Sequence, residues 1–271
     1  MDKKIKIAIL GTGNIGASIA SGLLDSGSLL PENMTLTRRK IHLLESFKKQ
    51  NVQITDDNKQ AVKQSKVIII AVEPQQMDTL LDDISDIVDY KEHIIISIVT
   101  GVSTEKIKRK LGNEITLVRA MPNTAISIGE SMTCLASDKS NSEAIEIAMA
   151  IFETLGKTLL IDEELMSSAT ALGACGIAFF LRAIRAASQG GIEIGFHADK
   201  ALQIAAQTAK GAATLLLQNE EHPEFEIDKV TTPRGVTISG LNQMEHQGFS
   251  SAMIKGIVIA AQKAAIIYES D

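Results

Sequence analysis

Two short stretches of this 271-residue chain carry residue types and spacings that could do chemistry. The first is Gly11-Thr12-Gly13-Asn14-Ile15-Gly16, a G-x-G-x-x-G that follows the apolar run Ile5–Leu10. A helical pattern follows it through Ala17, Ile19, Ala20, Leu23 and Leu24. In such a strand–turn–helix, Gly11 permits the tight turn, Gly13 lets backbone approach a pyrophosphate, and Gly16 lets helix and strand pack closely. The helix start adds free N–H groups and a positive dipole end. The second stretch is Lys229–Thr237, KVTTPRGVT. Pro233 and Gly235 shape a sharp turn, and a helix beginning near Val236 points N–H groups outward. That arrangement holds a carboxylate through charge-assisted hydrogen bonds, with hydroxyls from Thr232 and Thr237. It serves equally well as a plain N-cap and first turn. Spacing alone leaves these two readings level.

The other candidates are weaker. His42, His93, His197, His222 and His246 belong to no convergent motif that would make one of them a general acid. No His-Glu-x-x-His, paired-cysteine or acidic cluster has metal-ligand spacing, so no metal is expected. Cys134 and Cys175 stand far apart and read as buried, reduced thiols.

The elements that must position these stretches follow from periodicity. Met34–Thr37 reads as a second strand, and the residues after it choose the cofactor. A carboxylate there would accept from a ribose 2′-hydroxyl; here Thr37 is followed by Arg38, Arg39 and Lys40, which suit a 2′-phosphate. A solvated basic helix start is the plain alternative, and helix is expected over 41–51. A short strand is expected near Gln53–Thr55, with Asp57-Asn58 opening a helix. Val67–Val72, Ile94–Val99 and Thr116–Arg119 are continuous apolar or nearly apolar runs, as in parallel strands buried on both faces. Their ends release loops at Glu73-Pro74, Thr100-Gly101 and Met121-Pro122-Asn123-Thr124, on the edge where open α/β sheets bind ligands. Ser103 is placed to cap the next helix. Strands at Ser131–Ala136 and Lys157–Ile161 complete the sheet, around a helix over 143–155.

After Asp162-Glu163-Glu164 no strand period remains. Met166–Ile194 is helical and apolar nearly all round, interrupted mainly by Arg182, Arg185 and Gln189, so it needs a large core or another subunit. Further helices are expected from Asp199 to about Gln218, from Gly235 to Glu245 and from Ser250 to Tyr268. The fold class is therefore α/β: an N-terminal Rossmann-type NAD(P)-binding domain over 1–162, plus an all-α C-terminal dimerisation domain over 163–271. A helical half this thin predicts an obligate dimer with interlocked helices. The formal net charge of −6 argues against a nucleic-acid or anionic-membrane partner. The longest apolar run, Ala169–Leu181, is too short to span a bilayer. With no signal-peptide pattern at the start, a cytoplasmic location is expected.

The stretch VTTPRGVTISGLNQMEHQGF resembles the C-terminal signature of the pyrroline-5-carboxylate reductase family. The resemblance runs collinearly through GTGNIG, AVEPQQ, SIVTGVS, VRAMPNTAISIGESMT and QGGIEIGF. It implies hydride transfer to the C=N bond of a small imine carboxylate, 1-pyrroline-5-carboxylate, giving proline. NADPH is the expected cofactor, with NADH as the alternative. The family match points to Gly11, Thr12, Gly13, Asn14, Ile15, Gly16, Thr37, Arg38, Asn58, Val72, Glu73, Thr100 and Asn123 for the cofactor. It points to the N–H groups of Gly235, Val236 and Thr237, helped by Thr232, for the substrate carboxylate. The Thr237 hydroxyl is expected at the ring nitrogen as an orienting donor or proton relay. The resemblance also implies homodimers, often assembled into larger rings. The chain departs from the family at Glu73 (commonly Lys), at Gly173–Phe179, at Arg185 and at Arg234 (commonly Gly). Reduction of another cyclic imine acid, or a non-catalytic NADPH-binding role, are the competing expectations. A hydroxyacid dehydrogenase is disfavoured, because no lysine lies in Leu165–Ile177.

Overall fold

The computed structural model describes residues 2–137 and 142–269. Eight strands form one sheet: β1 (Ile7–Leu10), β2 (Met34–Thr37), β3 (Gln53–Thr55), β4 (Val67–Ile70), β5 (Ile94–Ser97), β6 (Thr116–Met121), β7 (Ser131–Ser137) and β8 (Gly156–Leu160). Their order is β3-β2-β1-β4-β5-β6-β7-β8. Neighbours run parallel except at β6/β7, which pair antiparallel. The order reverses direction between β1 and β4, and that switch point is where an open α/β sheet splits its crossovers and leaves a ligand crevice. β1, β4 and β5 are buried at every position. Their runs of Ile, Val, Leu and Ala are apolar on both sheet faces because helices cover both.

One face carries α1 (Asn14–Asp25) and α6 (Ser142–Phe152), which share a core with Ile7, Ile9, Ile69 and Ile96. The other carries α3 (Asn58–Lys63), α4 (Met77–Ile84) and α5 (Thr104–Leu111) around Ala8, Leu10, Ile68 and Ile95. Asp57 caps α3 by accepting from Gln60 N–H at 3.0 Å, and Ser103 caps α5 by accepting from Lys106 N–H at 3.2 Å. The helix expected over 41–51 is only a 3₁₀ turn, Ile41–Leu44, and the short α2 (Glu45–Lys48). Arg38–Lys40 therefore precede the first helical turn rather than forming it.

The expected long helix Met166–Ile194 is broken in pitch. It comprises α7 (Met166–Ala169), a π-helical segment Thr170–Cys175 and α8 (Gly176–Glu193). Met166 packs into a cluster with Met121, Cys134 and Ala136, so the opening of this helix belongs to the sheet's core. Accordingly the chain divides into one compact unit of 1–175 with 260–271, and a second of Gly176–Ile259. A boundary expected at 162/163 from the loss of strand period falls inside the first unit, because periodicity does not reveal what a helix packs against. Cys134 is buried as expected, whereas Cys175 is only half-buried.

In the second unit α8 and α9 (Ala198–Asn219) form a helical hairpin in which a Cβ on Gly191 would stand 3.1 Å from Ala201 Cβ. α10 (Pro223–Lys229) is a helix that was not among those expected from the sequence. His222 caps it, its Nδ1 accepting from Glu224 N–H at 3.3 Å, and Pro223 takes the first helical position. α11 (Val236–His246) follows, and α12 (Phe249–Glu269) starts in this unit and ends in the first, which takes it from Ala260 on. Large apolar side chains face solvent in the single chain, among them Phe180, Leu217 (81% exposed) and Ile254. The segments Glu163–Glu193 and Phe249–Ile267 are long and apolar enough, by length and composition, to cross a bilayer.

His93, at the entrance to β5, is buried and accepts Asp89 N–H on Nδ1 at 2.9 Å, which requires the neutral ring. Burial pushes its pKa below the usual 6.5, against the opposing pull of Asp89, Glu92 and the Val62 backbone. The unfolded chain therefore binds the proton first as pH falls. Folding stability, followed by urea unfolding, should decline as pH drops below about 6.5 and level off below the folded-state pKa. His93→Gln should flatten that decline.

Candidate active site

The glycine turn after β1 is shaped by what surrounds it. Gly11 has φ +82°, and a Cβ there would overlap Val72 Cγ1 and stand 3.0 Å from Val72 Cα. Gly16 lies where a Cβ would come 3.3 Å from Ile9 Cγ2 and 3.4 Å from Ala71 Cβ, so α1 approaches β1 and β4 closely. Gly13 is different. Its φ of −87° suits any residue, and a Cβ would meet nothing nearer than the Gly11 carbonyl at 4.0 Å. The chain's own packing does not require glycine at 13. α1 begins with Gly13 as N-cap, without a side-chain cap and without an acidic residue in its first turn. Its first N–H groups therefore remain to be satisfied from outside.

Thr37 holds this turn rather than facing outward. Its hydroxyl accepts Gly11 N–H at 3.2 Å and donates to Asn58 Oδ1 at 2.7 Å, while its carbonyl accepts Thr12 N–H at 2.8 Å. The Thr12 side chain is fully buried and hydrogen-bonds the Ile9 carbonyl at 3.3 Å. The Thr37 hydroxyl expected at a 2′-phosphate is thus engaged inside, and its effect is to orient Asn58, whose amide nitrogen stays available. Arg38 is half-buried beside them, its N–H donating to the Thr55 carbonyl at 3.2 Å. Asn14 is exposed and Ile15 half-buried on the first turn of α1. Val72 is half-buried and Glu73 exposed at the end of β4.

A second set of contacts ties the ends of β5 and β6 together. Thr100 Oγ1 lies 3.8 Å from Met121 Sδ. Gly101, φ +79°, receives Ile267 of the returning α12 against its Cα. Asn123 is 7% exposed: its N–H donates to Ser131 Oγ at 3.2 Å, its Oδ1 accepts Ala125 N–H at 3.0 Å, and its Nδ2 donates to the Gly173 carbonyl at 3.2 Å. That last bond uses a carbonyl within the π-helical segment. Arg119, 2% exposed in β6, pairs with Glu163 Oε1 at 2.7 Å, and the same oxygen accepts Thr104 N–H at 3.3 Å. Neither Arg119 nor Glu163 was singled out from sequence, although a charge inside an apolar strand is itself a signal of a buried partner.

In the second unit, Gly235 N–H donates to the Thr232 carbonyl at 2.9 Å, closing the turn Thr232-Pro233-Arg234-Gly235. Gly235 is the N-cap of α11, and a Cβ on it would stand 2.6 Å from Thr232 Oγ1. Because Gly235 N–H is engaged in the turn, the outward donors are the first N–H groups of α11: Val236, Thr237 and Ile238. Ile238 is a donor that the expected set omitted. Thr232 is exposed and Thr237 half-buried. Arg234 occupies the left-handed region at φ +60°, which costs a non-glycine residue about 1–2 kcal/mol.

A glycine turn at the switch point of a parallel sheet, an uncapped helix start behind it, and a following helical half define a Rossmann-type dinucleotide-binding oxidoreductase build. Comparison with known proteins gives the same class and narrows it. Residues 6–101 match the family model described as NADP oxidoreductase, coenzyme F420-dependent, and residues 163–266 match pyrroline-5-carboxylate reductase dimerisation. Pyrroline-5-carboxylate reductase 2 of Dictyostelium discoideum is 48% identical over 96% of this chain and 92% of its own length. Pyrroline-5-carboxylate reductase 1 of the same organism is 54% identical over 97% of this chain, which spans half the length of that relative. A solved pyrroline-5-carboxylate reductase from Coxiella burnetii superposes with a TM-score of 0.91, at 27% identity, covering 97% of this chain and 98% of that one. This chain belongs to the pyrroline-5-carboxylate reductase family.

The three glycines should separate fold from binding. Gly13→Ala should leave thermal unfolding within about 2 °C of the unmodified chain yet weaken NADPH at least tenfold by fluorescence titration. Gly11→Ala should lower the unfolding temperature as well, because both its φ and the Val72 contact forbid a Cβ.

Proposed function

We propose that this chain reduces the C=N bond of 1-pyrroline-5-carboxylate to proline with NAD(P)H, and prefers NADPH. The observation that carries the reading is the presence, in one member of this family, of both binding devices: the Gly11–Gly16 turn with its uncapped helix, and the Thr232–Thr237 turn opening α11. The glycine turn, with a Cβ-free approach at Gly13, fits a dinucleotide pyrophosphate. Bound there, the reduced nicotinamide supplies the hydride that the imine carbon accepts.

The chain's own residues bind and orient. Backbone N–H groups over Asn14–Gly16 hold the pyrophosphate, assisted by the α1 dipole; Gly13 N–H is engaged by the Gly11 carbonyl at 2.7 Å. Arg38 and the Asn58 amide, kept in place by Thr37, take the 2′-phosphate. Val72, Glu73, Thr100 and Asn123 mark the loops along the rest of the cofactor, and Asn123 acts there chiefly by fixing the loop after β6. The N–H groups of Val236, Thr237 and Ile238, with the Thr232 hydroxyl, hold the substrate carboxylate. The Thr237 hydroxyl hydrogen-bonds the ring nitrogen. An imine that arrives protonated needs only that orienting contact, so a site without His, Lys or Asp at the nitrogen suffices.

Two apolar helical stretches that the single chain leaves uncovered support a homodimer, since the family model matching 163–266 is described as a dimerisation region. Small residues along 173–187 permit close helix contact, and Arg182 and Arg185 interrupt the apolar surface that a bilayer would need. Assembly of dimers into a larger ring, cytoplasmic placement without a membrane or nucleic-acid partner, and a functional division at 162/163 belong to the same reading.

The test follows NADPH oxidation with pyrroline-5-carboxylate, beside NADH and a six-membered imine acid. Turnover with the five-membered substrate, fastest with NADPH, is expected; cofactor binding without turnover would sink the enzymatic reading. Thr237→Ala should lower kcat roughly tenfold to a thousandfold, as for one positioned hydrogen-bonding group. Arg38→Asp should raise KM for NADPH selectively, and an unchanged NADPH/NADH ratio would remove Arg38 from cofactor choice.

A further inference from the structure

We infer that Arg234 is a specificity-determining residue of the substrate loop, whose guanidinium attracts the carboxylate of the imine acid and so sets KM rather than turnover. The inference rests on the reading of Thr232–Thr237 as the carboxylate-binding loop. The bond from Gly235 N–H to the Thr232 carbonyl, 2.9 Å, closes a four-residue turn with Pro233 second and Arg234 third. Proline holds a negative φ, and Arg234 has φ +60°. Negative then positive is the type II pattern, whose third position selects glycine or asparagine.

Among the described residues, Asn51 and Glu220 are the other non-glycines with positive φ. Asparagine tolerates the left-handed region, and Glu220 ends α9, where a left-handed residue is the common terminator. Arg234 has neither reason to sit there. Strain kept at a binding loop points to use of the side chain that imposes it. Within the chain that use is not met: Arg234 is exposed and, among the described residues, makes no hydrogen bond or ion pair. The neighbouring cation Lys229 is engaged, pairing with Glu226 at 2.8 Å and lying 4.5 Å over the Phe225 ring. A guanidinium held on a strained corner, next to a loop that takes an anion, has that anion as its natural partner. Attraction of a carboxylate that persists unchanged through hydride transfer binds ground and transition states alike, which moves KM and leaves kcat.

Steady-state kinetics of R234Q, R234K and R234G, varying imine acid and NADPH separately at low and high salt, test this. R234Q and R234G should raise KM for the imine acid roughly three- to tenfold at low salt, with kcat within about twofold. The KM for NADPH should not move, the difference should shrink at high salt, and R234K should keep most of the affinity. R234G, with the turn relieved, should melt at or above the unmodified temperature, so its KM loss is not misfolding. An unmodified imine KM in R234Q, or a rise in NADPH KM instead, overturns the inference while leaving the reductase reading intact. Failure of the unmodified enzyme to reduce the imine acid overturns the reductase reading itself, and the inference with it.

Discussion

Much of the first unit depends on how closely the turn after β1 approaches the end of β4. Gly11 lies against Val72 with no room for a Cβ, at a φ that only glycine adopts freely. That approach lets Gly11 N–H reach the Thr37 hydroxyl, and Thr37 in turn fixes Asn58. Three parallel strands, β2, β1 and β4, are thereby locked at their carboxyl ends around one loop. Only then does α1 start where its free N–H groups face the crevice of the switch point. A bulkier residue at 11 would displace the phosphate-binding geometry and the second-strand contacts together.

A comparable constraint acts on the other side of the sheet. Arg119 is too deep in β6 to keep its charge without a partner, and Glu163 supplies one from the segment that opens the helical half. The same carboxylate accepts from Thr104 at the start of α5, and Asn123 meanwhile bonds the Gly173 carbonyl. The π-helical pitch over Thr170–Cys175 shifts the carbonyl pattern of that helix, and one of its carbonyls is taken up by Asn123. The helical region thus begins as part of the nucleotide-binding unit's core before it becomes an apolar surface of its own.

The second unit presents the opposite problem. α8, α9 and α12 carry more apolar surface than one chain covers, and a Rossmann-type unit has no use for it. A partner subunit is the covering that the family's dimerisation region describes. Within this unit the Thr232–Thr237 loop stands out because a turn of this kind ordinarily places glycine or asparagine where Arg234 sits.

By itself the sequence determined a good deal. All eight strands were expected from the sequence; the continuous apolar runs of β1, β4 and β5 stood out because parallel strands buried on both faces have a composition that little else shares. It also placed the glycine turn, the helix opening at Asp57-Asn58, the Ser103 cap and the start of α11, since these are local rules of turn and cap chemistry. Only the tertiary structure decided that Thr37 faces inward, that Gly235 N–H closes its own turn, that Arg119 meets Glu163, and that residues 163–175 belong with the sheet. The Gly235 bond spans three residues, but the others depend on which groups become neighbours across tens of residues, such as Arg119 and Glu163, 44 positions apart. Local periodicity carries the direction of a side chain within its own element, but a hydrogen bond is satisfied by whatever the fold brings within 3 Å, and that is a property of packing.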